Sequence, residues 1–159
     1  MKRKCIICDI DNVYVDSREW EKYLPKRKDD RKGWNTLLQH IGKCIPNDFI
    51  IRLINTLAQN YPIFFITSRE GTETLRRLTV EQIEEFSGGN ILLRADSKHK
   101  LYMRECNDFR EPYKVKEEIL LRDVLPNYEP IMAFEDDENN VKMYRKYGID
   151  TIHYKEFLK

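Results

Sequence analysis

The sequence lacks the long apolar run that a transmembrane helix requires. No apolar stretch approaches the roughly 20 residues that span a bilayer, and the basic start Met1-Lys2-Arg3-Lys4 is followed by only a few apolar residues before Asp9. We therefore expect no membrane contact, no signal peptide and a cytoplasmic location. The formal net charge is +1, so composition alone does not favour a nucleic-acid or membrane surface.

Cysteine and histidine are too few and too scattered to form a disulfide or zinc framework. Of the four cysteines, only Cys5 and Cys8 have a C-x-x-C spacing. In a strand, positions i and i+3 point to opposite faces, so these two thiols can neither pair nor share one metal. The three histidines show no metal-ligand spacing. We expect reduced thiols, as in cytosolic proteins.

Short apolar runs alternate with helical patterns along the chain, and no repeat, low-complexity tract or linker interrupts them. At 159 residues, the length predicts one domain, residues 1–159. Strands are predicted at 5–8, 63–66, 91–93, 130–134 and 149–154. Helices are predicted at 34–41, 72–86, about 113–125 and 139–147. A further helix is predicted to start at 48, with an apolar stripe of Phe49, Ile50, Leu53, Ile54 and Leu57. Tyr14 to Gly33 and Arg94 to Glu111 are predicted loops.

This alternation predicts an α/β fold in which helices cover both faces of a parallel sheet. In such sheets, ligands bind beyond the carboxyl ends of the strands. Three predicted strands end in polar clusters, which are Asp9 with Asp11, Thr67-Ser68-Arg69, and Glu135-Asp136-Asp137. Each cluster alone could cap a following helix. Several carboxylates at one edge are better explained by bound Mg²⁺, which prefers oxygen ligands.

The order of these motifs resembles the haloacid dehalogenase (HAD) superfamily of phosphotransferases. That superfamily has a strand ending in D-x-D, a strand ending in Ser or Thr, a Lys before a later strand, and a strand ending in paired acids. The four motifs correspond here to Asp9-Ile10-Asp11, Thr67, Lys116 and Glu135-Asp136-Asp137. The resemblance implies a three-layer Rossmann-like fold with at most a minimal cap, because the first two motifs are separated by a short excursion.

The second half of the chain is similar, more narrowly, to the 3′-phosphatase domain of phage polynucleotide kinase. The similarity includes an Arg twelve residues before the motif Lys (Arg104), a second Arg six before it (Arg110), and the step Val115-Lys116-Glu117-Glu118. The spacing from Arg104 favours Lys116 over Lys114 as the motif lysine. One departure is Asn12-Val13, where the superfamily usually has Gly-Thr.

The resemblance implies a role for each motif residue. Asp9 would be the nucleophile and Asp11 the general acid and base, whose backbone carbonyl also contacts Mg²⁺. Thr67 would bind a phosphoryl oxygen, and Lys116 would neutralise charge and restrain Asp9. The metal ligands would be Asp9, Asp11 and Asp136, with Asp137 or Glu135 as the second acid of the pair. The candidate substrate-binding residues are Ser68, Arg69, Arg104 and Arg110, since a guanidinium fork matches phosphate. For the three arginines, an ordinary salt bridge is the alternative.

The function implied is a Mg²⁺-dependent phosphomonoesterase acting through an aspartyl-phosphate. The narrower resemblance implies a polynucleotide 3′-phosphatase in nucleic-acid repair, with the 3′-phosphate end of DNA or RNA as its partner. The sequence has no G-x-x-x-x-G-K-[ST] motif, so a kinase or ligase would be a separate partner. The alternatives are a small-molecule phosphatase or nucleotidase of the same superfamily and, because both D-x-D acids are present, less readily a non-catalytic binding module.

Overall fold

The computed structural model describes residues 1–27 and 29–156. The strands are β1 (Arg3–Cys8), β2 (Val15–Asp16), β3 (Ile45–Pro46), β4 (Ile63–Glu70), β5 (Lys100–Arg104), β6 (Tyr128–Glu135) and β7 (Thr151–His153). Five of them form a parallel main sheet in the order β5-β4-β1-β6-β7, and β2 and β3 form a separate antiparallel pair. The helices are α1 (Arg18–Glu21), α2 (Arg31–Ile41), α3 (Asp48–Ala58), α4 (Glu73–Phe86), α5 (Pro112–Ile119) and α6 (Glu138–Lys146), and a π-helical turn (Leu120–Val124) extends α5.

The sheet has a hydrophobic layer on each face. Ile6 and Cys8 of β1 lie in a core cluster with residues of α3 and α4, whereas Cys5 and Ile7 lie in a cluster with residues of α5 and α6. The alternation arises because successive side chains of a strand point to opposite faces. The predicted α/β fold, with helices on both faces of a parallel sheet, is therefore confirmed. Cys5 and Cys8 are free thiols in different layers, as expected.

The predicted strand at Ile91–Leu93 is wrong, and the strand that pairs with β4 is β5. The side chain of Ile91 is fully buried, but its backbone N–H donates to the Ser87 hydroxyl, and the Leu93 N–H donates to Glu84 of α4. Since the backbone donors of Ile91 and Leu93 are bound to side chains, the segment packs on the core without joining the sheet.

Residues 12–47, between the D-x-D segment and α3, form a small insert that contains β2, α1, α2 and β3. The predicted loop from Tyr14 to Gly33 is thus partly structured. In α3 the predicted apolar stripe is wrong at one position, because Phe49 is 60% exposed whereas Ile51 is buried. The small size of the insert agrees with the predicted minimal cap. Within the described ranges, no helix combines the length and apolar character needed to cross a membrane.

Candidate active site

Asp9 and Asp11 lie directly beyond the carboxyl end of β1, the central strand. The Asp9 N–H donates to the Phe134 carbonyl of β6 at 3.0 Å, which continues the sheet pairing by one residue. Asn12 then adopts a left-handed backbone with φ of 61°, a conformation that Asn tolerates better than most residues. Asn12 therefore allows the turn that the superfamily usually makes with Gly.

Lys116 of α5 is buried between two carboxylates. Its Nζ lies 2.8 Å from Asp9 Oδ1 and 2.7 Å from Glu135 Oε2, and the Lys116 side chain is only 1% exposed. Burial alone would lower the pKa of Lys116, but the two carboxylates raise it well above its ordinary value. The ammonium is therefore a fixed positive charge beside Asp9. The structure brings Asp9 and Lys116 together.

Glu135 and Asp136 complete an acidic cluster with Asp9. One carboxylate oxygen from each of the three residues lies within 4.8 Å of the other two. Burial, and then the neighbouring charge of Glu135, raises the pKa of Asp9 to about 8. Burial, and then the charge of Asp9, raises the pKa of Asp136 to about 7. Two carboxylates this close are stabilised in their charged form by a cation, and oxygen donors suit Mg²⁺.

Glu135 and Asp137 have different partners from Asp136. Glu135 is fully buried, and while its Oε2 accepts from Lys116, its Oε1 accepts from the backbone N–H groups of Asp136 and Asp137. The Asp137 side chain accepts from the Asn140 N–H at 3.0 Å and caps α6. In the choice between Glu135 and Asp137, the cluster with Asp9 and Asp136 therefore contains Glu135, which also orients Lys116.

The buried Arg69 forms an ion pair with the partly exposed Asp11. Its Nε and Nη2 donate to the two carboxylate oxygens of Asp11 at 2.9 and 2.7 Å, and the Arg69 side chain is 3% exposed. The Asp11 carboxylate thus points towards Arg69, so that its backbone carbonyl remains the candidate metal ligand. The sequence suggested Arg69 as a phosphate contact, whereas the structure places its guanidinium on Asp11.

The remaining predicted substrate residues lie around the end of β4. Thr67 is 1% exposed and its hydroxyl accepts from the Arg69 N–H. Arg104 donates to the Ser68 carbonyl at 2.9 Å and to the carbonyls of Asp108 and Arg110. Arg104 therefore braces the loop after β5 against the end of β4.

Arg110 is in a surface ion-pair network. Its guanidinium pairs with Asp108 at 2.6 Å and with Glu118 of α5 at 2.5 Å, and its side chain is 47% exposed. The alternative reading of an ordinary salt bridge thus describes Arg110 in this structure. Any phosphate contact by Arg110 would have to compete with these two carboxylates.

Sequence reasoning missed Thr79 and Gln82 of α4, which contact Arg69. The Nη1 of Arg69 donates to Thr79 Oγ1 at 3.2 Å and to Gln82 Oε1 at 3.0 Å. Both residues are buried, with Leu75 and Ile83, on the inner face of α4. The available signal was the presence of polar residues on the apolar face of an amphipathic helix, since buried polar groups need hydrogen-bond partners.

The fold and the order of the motif residues are those of the haloacid dehalogenase superfamily of α/β proteins. More specifically, the chain belongs to the family described as the polynucleotide kinase PNKP phosphatase domain, which matches residues 3–156. The predicted superfamily and the narrower resemblance are both confirmed. No curated protein sequence matches the chain significantly.

Solved structures share this fold at low sequence identity. A chain of the Pnkp1/Rnl/Hen1 complex superposes with a TM-score of 0.68 and 19% identity, covering 96% of this chain and 46% of its own. The class C acid phosphatase from Bacillus anthracis superposes with a TM-score of 0.56 and 14% identity, covering 97% and 67%. The HAD hydrolase YfnB from Bacillus subtilis, bound to magnesium, superposes with a TM-score of 0.58 and 12% identity, covering 100% and 90%. The chain thus spans less than half of the Pnkp1/Rnl/Hen1 chain that it matches.

Proposed function

We propose that this protein is a Mg²⁺-dependent phosphomonoesterase that removes the 3′-phosphate from the end of a polynucleotide. The observation that carries the proposal is the buried Asp9 carboxylate 2.8 Å from Lys116, next to Asp136, in a chain of the PNKP phosphatase family. The carboxylates of Asp9 and Asp136 and the carbonyl of Asp11 would hold the metal. Bound Mg²⁺ would offset the repulsion between the carboxylates and the phosphate.

The proposed reaction has two steps. A carboxylate oxygen of Asp9 attacks phosphorus, the bond from phosphorus to the ester oxygen breaks, and Asp11 gives its proton to the leaving alkoxide. Asp11 then takes a proton from a water molecule as the water attacks phosphorus, and inorganic phosphate leaves Asp9. Lys116 neutralises the charge on the equatorial oxygens in both steps, while the Thr67 hydroxyl donates to one of them. Ser68 would contact the substrate beside Thr67.

The family supports a polynucleotide substrate, and the small insert is consistent with it. A large cap would close over a small molecule, whereas the described residues between 12 and 47 form four short elements. Two neighbouring structures are of the Pnkp1/Rnl/Hen1 complex, one of them described as an RNA repair complex, and they support a role in nucleic-acid end repair together with a separate kinase or ligase.

The Asp9→Asn variant tests the nucleophile. It keeps the shape of the side chain but removes the attacking charge, so Mg²⁺-dependent release of phosphate from a 3′-phosphorylated oligonucleotide should fall to background. Asp150→Asn is the matched control. Asp150 is exposed and lies before the amino end of β7, whereas Asp9 lies beyond the carboxyl end of β1, so the two residues are at opposite ends of the parallel strands. Wild-type turnover by a folded Asp9→Asn protein would disprove the assignment.

A substrate comparison tests the polynucleotide proposal. The kcat/KM of the wild-type protein is measured for a 3′-phosphorylated oligonucleotide, a 3′-mononucleotide and p-nitrophenyl phosphate. We expect the oligonucleotide to be preferred because only it has nucleotides beyond the one that carries the phosphate. Preference for either small ester would instead support the alternative, a small-molecule phosphatase or nucleotidase.

A further inference from the structure

Gln82 is placed to act on Asp11 without touching it. Its Oε1 accepts a hydrogen bond from Arg69 Nη1 at 3.0 Å, and Arg69 holds both carboxylate oxygens of Asp11. Its Nε2 donates to the backbone carbonyl of Ile41 at 3.0 Å. Since Ile41 is the last residue of α2, a single side chain joins the insert to the arginine that orients Asp11.

The burial of this chain of contacts makes it rigid. Gln82 is 5% exposed, Arg69 is 6% exposed and Thr79 is fully buried. A buried polar side chain costs free energy unless its hydrogen bonds are made, and here the amide of Gln82 uses both its acceptor and a donor. An apolar residue at position 82 would fill the space, but the Nη1 of Arg69 would retain only Thr79 as an acceptor.

Contacts inside the insert hold its first residue, which follows Asp11 directly. Asn12, the residue after Asp11, donates from its Nδ2 to Glu21 of α1 at 2.5 Å, and its Oδ1 accepts from the N–H and hydroxyl of Ser17. The insert therefore reaches Asp11 through the following residue in the sequence and, by way of Gln82 and Arg69, through its ion-pair partner.

We propose that Gln82 is a positioning residue that couples the end of α2 to the acid and base carboxylate of Asp11 through Arg69. This inference rests on the proposed function, in which Asp11 protonates the leaving group. Each carboxylate oxygen of Asp11 accepts one hydrogen bond from Arg69 and keeps a lone pair for the transferred proton. The direction of that lone pair is fixed by the guanidinium, and the direction of the guanidinium is fixed by Gln82 and Thr79.

The Gln82→Met variant tests the inference, because Met is unbranched and of similar length but cannot accept from Arg69 or donate to Ile41. The readout is kcat/KM for a series of aryl phosphates of one shape, from p-nitrophenyl phosphate to phenyl phosphate. An acid in the wrong place matters most for the most basic leaving group. We expect a loss of roughly 10- to 100-fold for phenyl phosphate, in line with the cost of small misplacements, and less than about 3-fold for p-nitrophenyl phosphate.

Thr79→Val and Asn55→Leu are the companion variants. Thr79→Val removes the other acceptor of Arg69 Nη1 and should give a smaller loss of the same kind, which keeps the test valid if Gln82→Met does not fold. Asn55 also donates from an amide to a backbone carbonyl, that of Ser87 at the end of α4, and Asn55→Leu should keep the wild-type dependence on the leaving group. Hydrogen exchange at the end of α2 should rise in Gln82→Met and not in Thr79→Val.

The outcomes separate this inference from the proposed function. Equal losses for both aryl esters, or no loss in folded variants, would overturn the positioning role of Gln82. Unchanged hydrogen exchange in α2 would overturn the coupling to the insert. If the wild-type protein hydrolyses no phosphate ester at all, the proposed function fails and the positioning role fails with it.

Discussion

Replacing Lys116 with Met should destabilise the protein strongly, because it leaves two buried carboxylates without their shared cation. Lys116 makes hydrogen bonds of 2.8 and 2.7 Å to Asp9 and Glu135, and hydrogen bonds to charged groups are worth about 1.5–3 kcal/mol each. Their sum, roughly 3–6 kcal/mol, agrees with the roughly 3–5 kcal/mol lost when one partner of a buried ion pair is removed. We expect Lys116→Met to lower the free energy of unfolding by this amount.

Urea denaturation in the presence of a chelator measures this loss. Without Lys116, the folded-state pKa of Asp9 should rise further, and a carboxyl with a raised pKa gives stability at low pH that is lost as pH rises. Because the wild-type pKa of Asp9 is itself about 8, both proteins lose stability alike below pH 8, and the destabilisation should be larger at pH 10 than at pH 7. Adding Glu135→Gln removes one uncompensated charge and should restore about 1–2 kcal/mol in a double-mutant cycle. A loss below about 1 kcal/mol, equal at both pH values, would refute the electrostatic reasoning.

Two other predictions concern groups outside the site. His99 accepts from the Ile63 N–H at 3.0 Å, and burial lowers its pKa from 6.5 to about 4, so the unfolded state binds more protons between these values. The difference in unfolding free energy between the wild-type protein and His99→Gln should therefore fall as pH drops from 6.5 to 4. A difference that stays constant over this range would contradict the lowered pKa of His99. Among the thiols, Cys106 is exposed, and burial raises the pKa of Cys5 and Cys44 to about 12. One thiol of the native protein should react with a thiol reagent, and none should react in native Cys106→Ser. The remaining thiols should react only after unfolding, and rapid labelling of a second thiol in the native protein would contradict their burial.

The interior of the sheet could be predicted from the sequence because its strands carry continuous apolar runs. Ile63–Ile66 are fully buried, and Pro130–Phe134 are buried except for the half-buried Ile131 and Met132. Both runs pair with β1 at the centre of the sheet, where alternation with polar residues is not expected. The edge strand β5 was harder to predict. Lys100–Arg104 mixes charged and apolar residues as a half-exposed strand does, whereas the more apolar Ile91–Leu93 packs on the core without pairing.

The candidate site could be predicted as far as its residues follow strand ends. Asp9 and Asp136 follow the ends of the adjacent strands β1 and β6. Lys116 lies on α5, and its motif spacing was the signal that identified it. The partners of a side chain are a different matter, since they depend on rotamers and on residues far away in the chain. Arg69 is 58 positions from Asp11, and no local pattern distinguishes an arginine that binds a phosphate from one that binds a carboxylate.

The position of Arg69 gives the two acids of the D-x-D motif different surroundings. The two acids are alike in sequence, but Asp9 faces a lysine and the acidic cluster, and Asp11 faces an arginine that is held by α4. The bidentate guanidinium holds both carboxylate oxygens of Asp11 and so sets the plane of that carboxylate, whereas the ammonium of Lys116 contacts one oxygen of Asp9. A group that must first donate and then accept a proton at one place needs that fixed direction, whereas a nucleophile needs room to approach phosphorus. The different cations beside the two carboxylates therefore match the different roles proposed for them.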